Sequence, residues 1–182
     1  IIKFKLNNGF GVYSNNYYPM FQKIISIPNE LCISRDIFTD FTFDKKIEYP
    51  SHKLLNLYFK SLPDFEDFKS NHPLLAKEPE RKLILSIMKE NSHLSNYCKA
   101  QFVKFNNIDS DIKKYIELIF KTRAFKNKNS NKKYLCPILD FVNFNYYEWT
   151  YFSDESSIYM KNLHSLSENS EFYHSYKINS DP

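Results

Sequence analysis

Leu135-Cys136-Pro137-Ile138-Leu139-Asp140-Phe141-Val142-Asn143-Phe144-Asn145 is the stretch on which the reading of this chain turns. A short apolar run is broken by Pro137, a carboxylate follows at Asp140, and an amide at Asn143. If the segment after Pro137 turns helically, Asp140 and Asn143 share a face, because residues three apart are surface neighbours. A carboxylate and an amide set in apolar sequence can bind a polar small molecule. They can equally satisfy nearby backbone groups, as buried polar groups generally do. The choice depends on what stands near the two ends of the chain.

The chain has 182 residues, enough for one domain, or one domain carrying an insertion, with a real core. Aromatic residues make up 18% of it, 17 Phe and 14 Tyr, so large rings must supply much of the packing. Only two glycines occur, which makes their position informative, since glycine is the default residue for tight turns. The formal charge of +4 is mild, and the basic run from Lys126 to Lys133 reads as a solvated loop more readily than as a phosphate-binding stripe. Nucleic acid is therefore not an expected partner. Cys32, Cys98 and Cys136 are odd in number and far apart, which suits neither a disulfide framework nor a zinc site. A reducing compartment inside the cell, cytoplasm or nucleus, and no bound metal are the expectations. No apolar run approaches the roughly 20 residues needed to span a bilayer, so no membrane role is expected.

Local periodicity divides the chain into three. Residues 2–6 alternate apolar and basic, Asn7 to Gly11 form a turn holding both glycines, and Lys23 to Ile27 reads as a strand ended by Pro28. Leu31-Cys32-Ile33 reads as another short strand. From Tyr49-Pro50 the period becomes helical: Leu54, Leu55, Tyr58 and Phe59 form one stripe, and Leu83, Ile84, Ile87 and Met88 a second, opened by Pro79. Ser92 is a candidate cap for a third helix carrying Leu94, Tyr97, Cys98 and Phe102, and Asp109 or Ser110 for a fourth carrying Ile112 to Phe120. After residue 134 strands return, at 149–152, 156–162 and 171–176. The plan is a β module interrupted by a helical block.

Five segments, in order, resemble the SET-domain protein methyltransferases, in particular the subgroup with a large helical insert that includes the Rubisco large-subunit methyltransferases. Asn8-Gly9-Phe10-Gly11-Val12, with Ile25-Ser26-Ile27-Pro28 after it, resembles the G-x-G-L opening and the I-P-x-x-L strand end. Tyr58-Phe59-Lys60-Ser61-Leu62-Pro63 resembles the Y-L-x-S-L-P that enters the insert, and Lys121-Thr122-Arg123-Ala124-Phe125 the S/T-R-A-F that leaves it. The stretch quoted first resembles L-x-P-x-x-D-x-x-N-H. Ser167 to Tyr176 resembles the G-E-E-x-x-x-x-Y region that delivers the catalytic tyrosine.

The resemblance implies an α+β, SET-like fold of several small β-sheets interrupted by a helical insertion. Residues 1–49 would be the N-terminal part of the β module, 50–120 the insert, and 121–182 a C-terminal part expected to be truncated. It implies S-adenosylmethionine as cofactor and a lysine side chain of a protein as acceptor, with no metal. Gly9 and Gly11, with the backbone at Phe10, would lie against the cofactor's methionine part, where a Cβ would obstruct. Arg123 would take its carboxylate, Asn143 its amino group, and the backbone at Phe144 its adenine edge. Asp140 would support the turn. Tyr176 would be the catalytic tyrosine.

The sequence also departs from the family's pattern. Phe144 stands where the motif has histidine, Lys177 where a glycine usually follows the tyrosine, and the sequence stops before the family's Y-G-F segment. Other readings follow: a degenerate, catalytically inactive SET-like binding module, a histidine N-methyltransferase, or an aromatic-rich RNA-binding protein. The last is disfavoured because the rings fall at core-like spacings.

Overall fold

The structure is a computed structural model that describes residues 3–6, 10–44, 53–127, 129–144 and 151–174. The chain separates into two compact units, residues 1–37 with 123–182, and residues 38–122.

Among the described residues the first unit holds three small sheets. Strands β1 (Lys3–Leu6) and β2 (Phe10–Tyr13) form an antiparallel pair. β3 (Lys23–Pro28) alternates, with Ile25 and Ile27 turned inward and Ser26 outward. The expected strand at Leu31 is displaced: Asn29–Leu31 make a 3-10 turn, closed by the Cys32 N–H on the Asn29 carbonyl, and β4 is only Ile33–Ser34. Pro28 is the last residue of β3: it still pairs with Ser157, and the Asn29 N–H still reaches the Ser156 carbonyl before the chain turns. β5 (Ala124–Lys126), β6 (Lys133–Leu135), β7 (Asn143–Phe144), β8 (Tyr151–Ser153), β9 (Ser157–Lys161) and β10 (Glu171–His174) come from the C-terminal part. The strand orders are β1-β2-β10-β7, β3-β9-β8 and β4-β6-β5. β10 is antiparallel to β2 and parallel to β7.

The sheets turn one face each into a shared core of Val12, Ile25, Ile27, Cys32, Phe125, Cys136, Leu139, Val142, Ile158, Met160, Leu166 and Phe172. Removing such side chains from water stabilises by about 1.5–3 kcal/mol for each large one. Cys32 and Cys136 face each other there with sulfurs 3.7 Å apart.

The second unit is helical: α1 (Arg35–Asp44), α2 (Lys53–Ser61), α3 (Phe65–Asn71), α4 (Glu78–Ile87), α5 (Ser92–Asn106) and α6 (Asp111–Arg123), with α1 and α6 crossing its borders. α1 was not expected from the sequence. Its start is capped by the Ser34 hydroxyl, which accepts the Ile37 N–H. Phe38 is buried against the rings of Phe59, Tyr115 and Phe120, at centroid distances of 5.9, 6.0 and 5.9 Å. The Tyr115 hydroxyl donates to the Pro63 carbonyl, 3.0 Å, tying α6 to the end of α2. Asn91, one residue before the expected Ser92, caps α5 by accepting the Leu94 N–H. The expected stripes on α4 and α5 are only partly covered. Leu83, Ile87, Leu94 and Tyr97 stay exposed, while Phe102 and Phe105 are buried. A helical period states which residues share a face, not how much of that face meets a partner.

The β8–β9 turn rests on Asp154. Its Oδ1 accepts the N–H and hydroxyl of Ser156, both at 2.9 Å, and those of Ser157 at 2.8 and 3.1 Å. The Lys23 ammonium lies 3.4 Å from Oδ2. These bonds, the Ser156 backbone first, hold the carboxyl well below the usual carboxylate range. A carboxyl depressed in the folded state contributes stability above its unfolded pKa, near 3.9, and loses it as pH falls toward the folded value. Asp154→Asn should therefore lower the urea midpoint most above pH 5, with the gap to wild type closing as pH falls below about 4. A pH-independent gap in circular-dichroism titrations would contradict this.

Candidate functional site

Alternation along β10 separates two chemistries. Phe172 is buried in the core, so Glu171 and Tyr173 project from the other face. On β2, Val12 is likewise buried, and Gly11 and Tyr13 take the other face beside Glu171, which pairs with Tyr13 across the ladder. On the far side of β10, Asn143 of β7 pairs with Tyr173. One sheet face thus gathers Gly11, Tyr13, Asn143, Glu171 and Tyr173.

The Glu171 carboxylate is their meeting point. Oε1 accepts the Asn143 amide Nδ2–H at 2.6 Å. Oε2 accepts the Tyr13 hydroxyl at 3.1 Å and the Tyr173 hydroxyl at 2.8 Å. A Cβ added at Gly11 would stand 2.5 Å from Oε1 and 3.0 Å from the Tyr13 ring, so the carboxylate lies directly against the glycine backbone. The Tyr13 hydroxyl is raised above its ordinary pKa by loss of water, then by bonding to the Glu171 carboxylate.

Asp140 belongs to a second cluster. Leu139–Phe141 form one 3-10 turn that packs against β2, and Val142 returns to extended backbone before Asn143 enters β7. Asp140 and Asn143 therefore do not share a helical face, contrary to the expectation: pairing with β10 straightens the chain after a single turn. The Asp140 carboxylate, 4% exposed, accepts an Arg123 Nη1–H at 2.8 Å, joining the end of α6 to this turn. Ile138, which opens the turn, has φ 73°, a left-handed backbone that a β-branched residue adopts at a cost of about 1–3 kcal/mol.

Of the residues singled out in the sequence, the structure brings Gly11 and Asn143 to Glu171, and Arg123 to Asp140. Phe10 and Phe144 lie in β2 and β7, and their side chains are outside the described residues, as are Gly9 and Tyr176 altogether. Tyr13, Glu171 and Tyr173 were not picked out. The available signal was alternation: Glu-Phe-Tyr and Gly-Val-Tyr each place an apolar residue inward between two that face outward. Among the described residues no group of three or more His, Cys, Asp or Glu could hold a metal, and no helix is long and apolar enough to cross a membrane.

No protein-family model matches the sequence, and no curated protein sequence matches it either. Solved structures do match the fold. The SET domain of LSMT bound to lysine and AdoHcy matches 98% of this chain and 49% of its own, with a TM-score of 0.58 and 16% identity. The same domain bound to methyl-lysine and AdoHcy gives the same values. Rubisco LSMT bound to AdoMet matches with a TM-score of 0.47 and 15% identity, over 98% of this chain and 48% of its own. The chain spans about half the length of these solved chains. Its mixed architecture of helices and small sheets is a SET-like fold.

Proposed function

We propose that this chain is part of an S-adenosylmethionine-dependent protein methyltransferase that methylates a lysine side chain. The observation that carries the reading is the SET-like fold in which β10 draws Gly11 of β2 and Asn143 of β7 to one polar face.

The donor set fits such a cofactor at its cationic end. A carboxylate, an amide and two phenol hydroxyls make an acceptor-rich surface, suited to an ammonium and a sulfonium. At the anionic end, Arg123 donates one N–H to Asp140, and the guanidinium fork keeps further donors for a carboxylate. In this reading Gly9, Gly11 and the backbone at Phe10 lie along the amino-acid part, and Arg123, oriented by Asp140, takes its carboxylate. Asn143 takes its amine, and the backbone at Phe144 the adenine edge.

S-adenosylmethionine, when bound, supplies a methyl group already activated by its sulfonium. What remains for the protein is alignment and a neutral acceptor. A free lysine titrates near 10.4, so presenting the neutral amine at pH 7 costs about 4 to 5 kcal/mol. An aromatic channel disfavours the ammonium by withholding water. Tyr176 orients the incoming nitrogen, and the helical unit carries recognition of the protein substrate. A histidine acceptor is the variant within the same class.

A second reading, a catalytically inactive SET-like binding module, is favoured by two observations. Phe144 replaces the motif's histidine, and the Glu171 carboxylate stands against Gly11, where the cofactor's methionine part would lie.

Calorimetric titration with S-adenosylhomocysteine separates these. Saturable binding that Asn143→Ala weakens by about tenfold or more, the worth of one charge-assisted hydrogen bond, is expected. No heat with wild-type protein overturns the cofactor reading. Arg123→Ala should weaken binding and also destabilise folding by about 1–3 kcal/mol in urea, because it strips the guanidinium from a buried carboxylate. Transfer of labelled methyl to lysate protein should be lost in Tyr176→Phe while cofactor binding persists. Wild-type binding without any transfer favours the inactive module.

A further inference from the structure

We propose that Cys32 and Cys136 form a redox modification site, a dithiol that a small peroxide converts into a reversible disulfide stapling the β unit. The assignment stands independently of the cofactor reading above.

Strand register places the two residues together. β4 and β6 are antiparallel, with Ile33 opposite Leu135 and Ser34 opposite Tyr134. One step further along the same register puts Cys32 opposite Cys136. Residues directly opposite on antiparallel strands have Cα atoms about 4.5–5.5 Å apart, inside the window of about 4.4–6.8 Å that a disulfide spans. Both side chains turn into the core, at 5% and 0% exposure, and their sulfurs lie 3.7 Å apart. An S–S bond of about 2.05 Å needs a further approach of about 1.7 Å, and the backbone spacing already suits it. Both residues are free thiols in this structure.

The two sulfurs are chemically unequal. The hydrogen bond from Cys136 holds the Cys32 thiol below its usual pKa, while burial pushes the Cys136 thiol up. Cys32 is therefore the better source of thiolate, the form that attacks an oxidant. Its burial selects a small peroxide over a bulky disulfide. The Cys32 thiolate attacks one peroxide oxygen and the O–O bond breaks. The leaving hydroxide takes up the proton that Cys32 gave, departing as water, and the sulfur becomes a sulfenic acid. The Cys136 sulfur then attacks that sulfur, its proton joins the displaced hydroxide, and a second water leaves. Two thiols and one peroxide thus give one disulfide and two waters, with two electrons passing from sulfur to oxygen.

Cys32 precedes the helical unit in sequence and Cys136 follows it, so the bond closes a loop containing residues 38–122. Cross-linking so long a loop restricts the unfolded chain and favours the folded one. Cys98, in α5, has its sulfur 3.3 Å from Met88 Sδ and serves as the internal control.

The test is a thiol count on the full chain. After brief exposure to hydrogen peroxide, unfolding in urea and alkylation with a maleimide should label Cys98 alone, whereas protein kept in dithiothreitol labels all three cysteines. Peptide mapping should recover Cys32 joined to Cys136, and dithiothreitol should restore every thiol. The oxidised protein should unfold at a higher urea concentration than the reduced one, and this shift should vanish in Cys32→Ala and Cys136→Ala. Should either variant fail to fold, the wild-type count and map still decide. Three labelled thiols after peroxide, sulfinic acid on Cys32 or Cys136 in place of the link, a link through Cys98, or a linked protein whose urea midpoint does not rise would each overturn the proposal.

Discussion

The insertion of β10 between β2 and β7 is the constraint on which the rest of the β unit depends. It joins residues 158 positions apart, antiparallel on one side and parallel on the other. The ladder is short, so side chains reinforce it. The Ser14 hydroxyl donates to the Ser167 carbonyl and accepts the Ser170 N–H, pinning the approach to β10 against the end of β2. Closing so long a loop costs only slightly more entropy than closing a much shorter one, because the cost rises with the logarithm of length. A large insertion between the two halves is therefore compatible with the pairing.

The same strand sorts polar from apolar. Phe172 enters the core while Glu171 and Tyr173 face away, so one period-two alternation supplies both packing and a cluster of functional groups. Gly11 belongs to that economy. Its missing side chain is the space the Glu171 carboxylate occupies, and the tight approach ties β2, β10 and β7 into a single polar surface. The Arg123–Asp140 pair performs a comparable service at the end of α6, where the turn opened by the strained Ile138 backbone holds its carboxylate almost out of water.

The helical unit is organised differently. Its core is a set of rings around Phe38, with Phe41 stacked on Phe59 at 4.0 Å and Tyr115 met edge-on by Phe65 and Phe68. Aromatic pairs of this kind add about 0.5–1.5 kcal/mol each beyond their buried area. The abundance of Phe and Tyr announced such a core. Which rings would form it was less legible, because Phe38 and Phe41 sit on α1, a helix whose only strong start signal is a single serine cap. Leu83 and Ile87, by contrast, have helical spacing and remain in solvent.

Local order was written in the sequence itself: the alternation of Ile25 and Ile27, the stripe of α6, the proline that ends β3, and the change of period that separates sheets from helices. These depend on neighbours a few residues apart, where spacing and backbone geometry suffice. Only the tertiary structure decided that Asn143 faces Glu171 and Asp140 faces Arg123, and that a carboxylate from the other end of the chain lies against Gly11. Periodicity says which face a side chain takes. The distant residue that waits on that face is chosen by strand pairing, which no local spacing encodes.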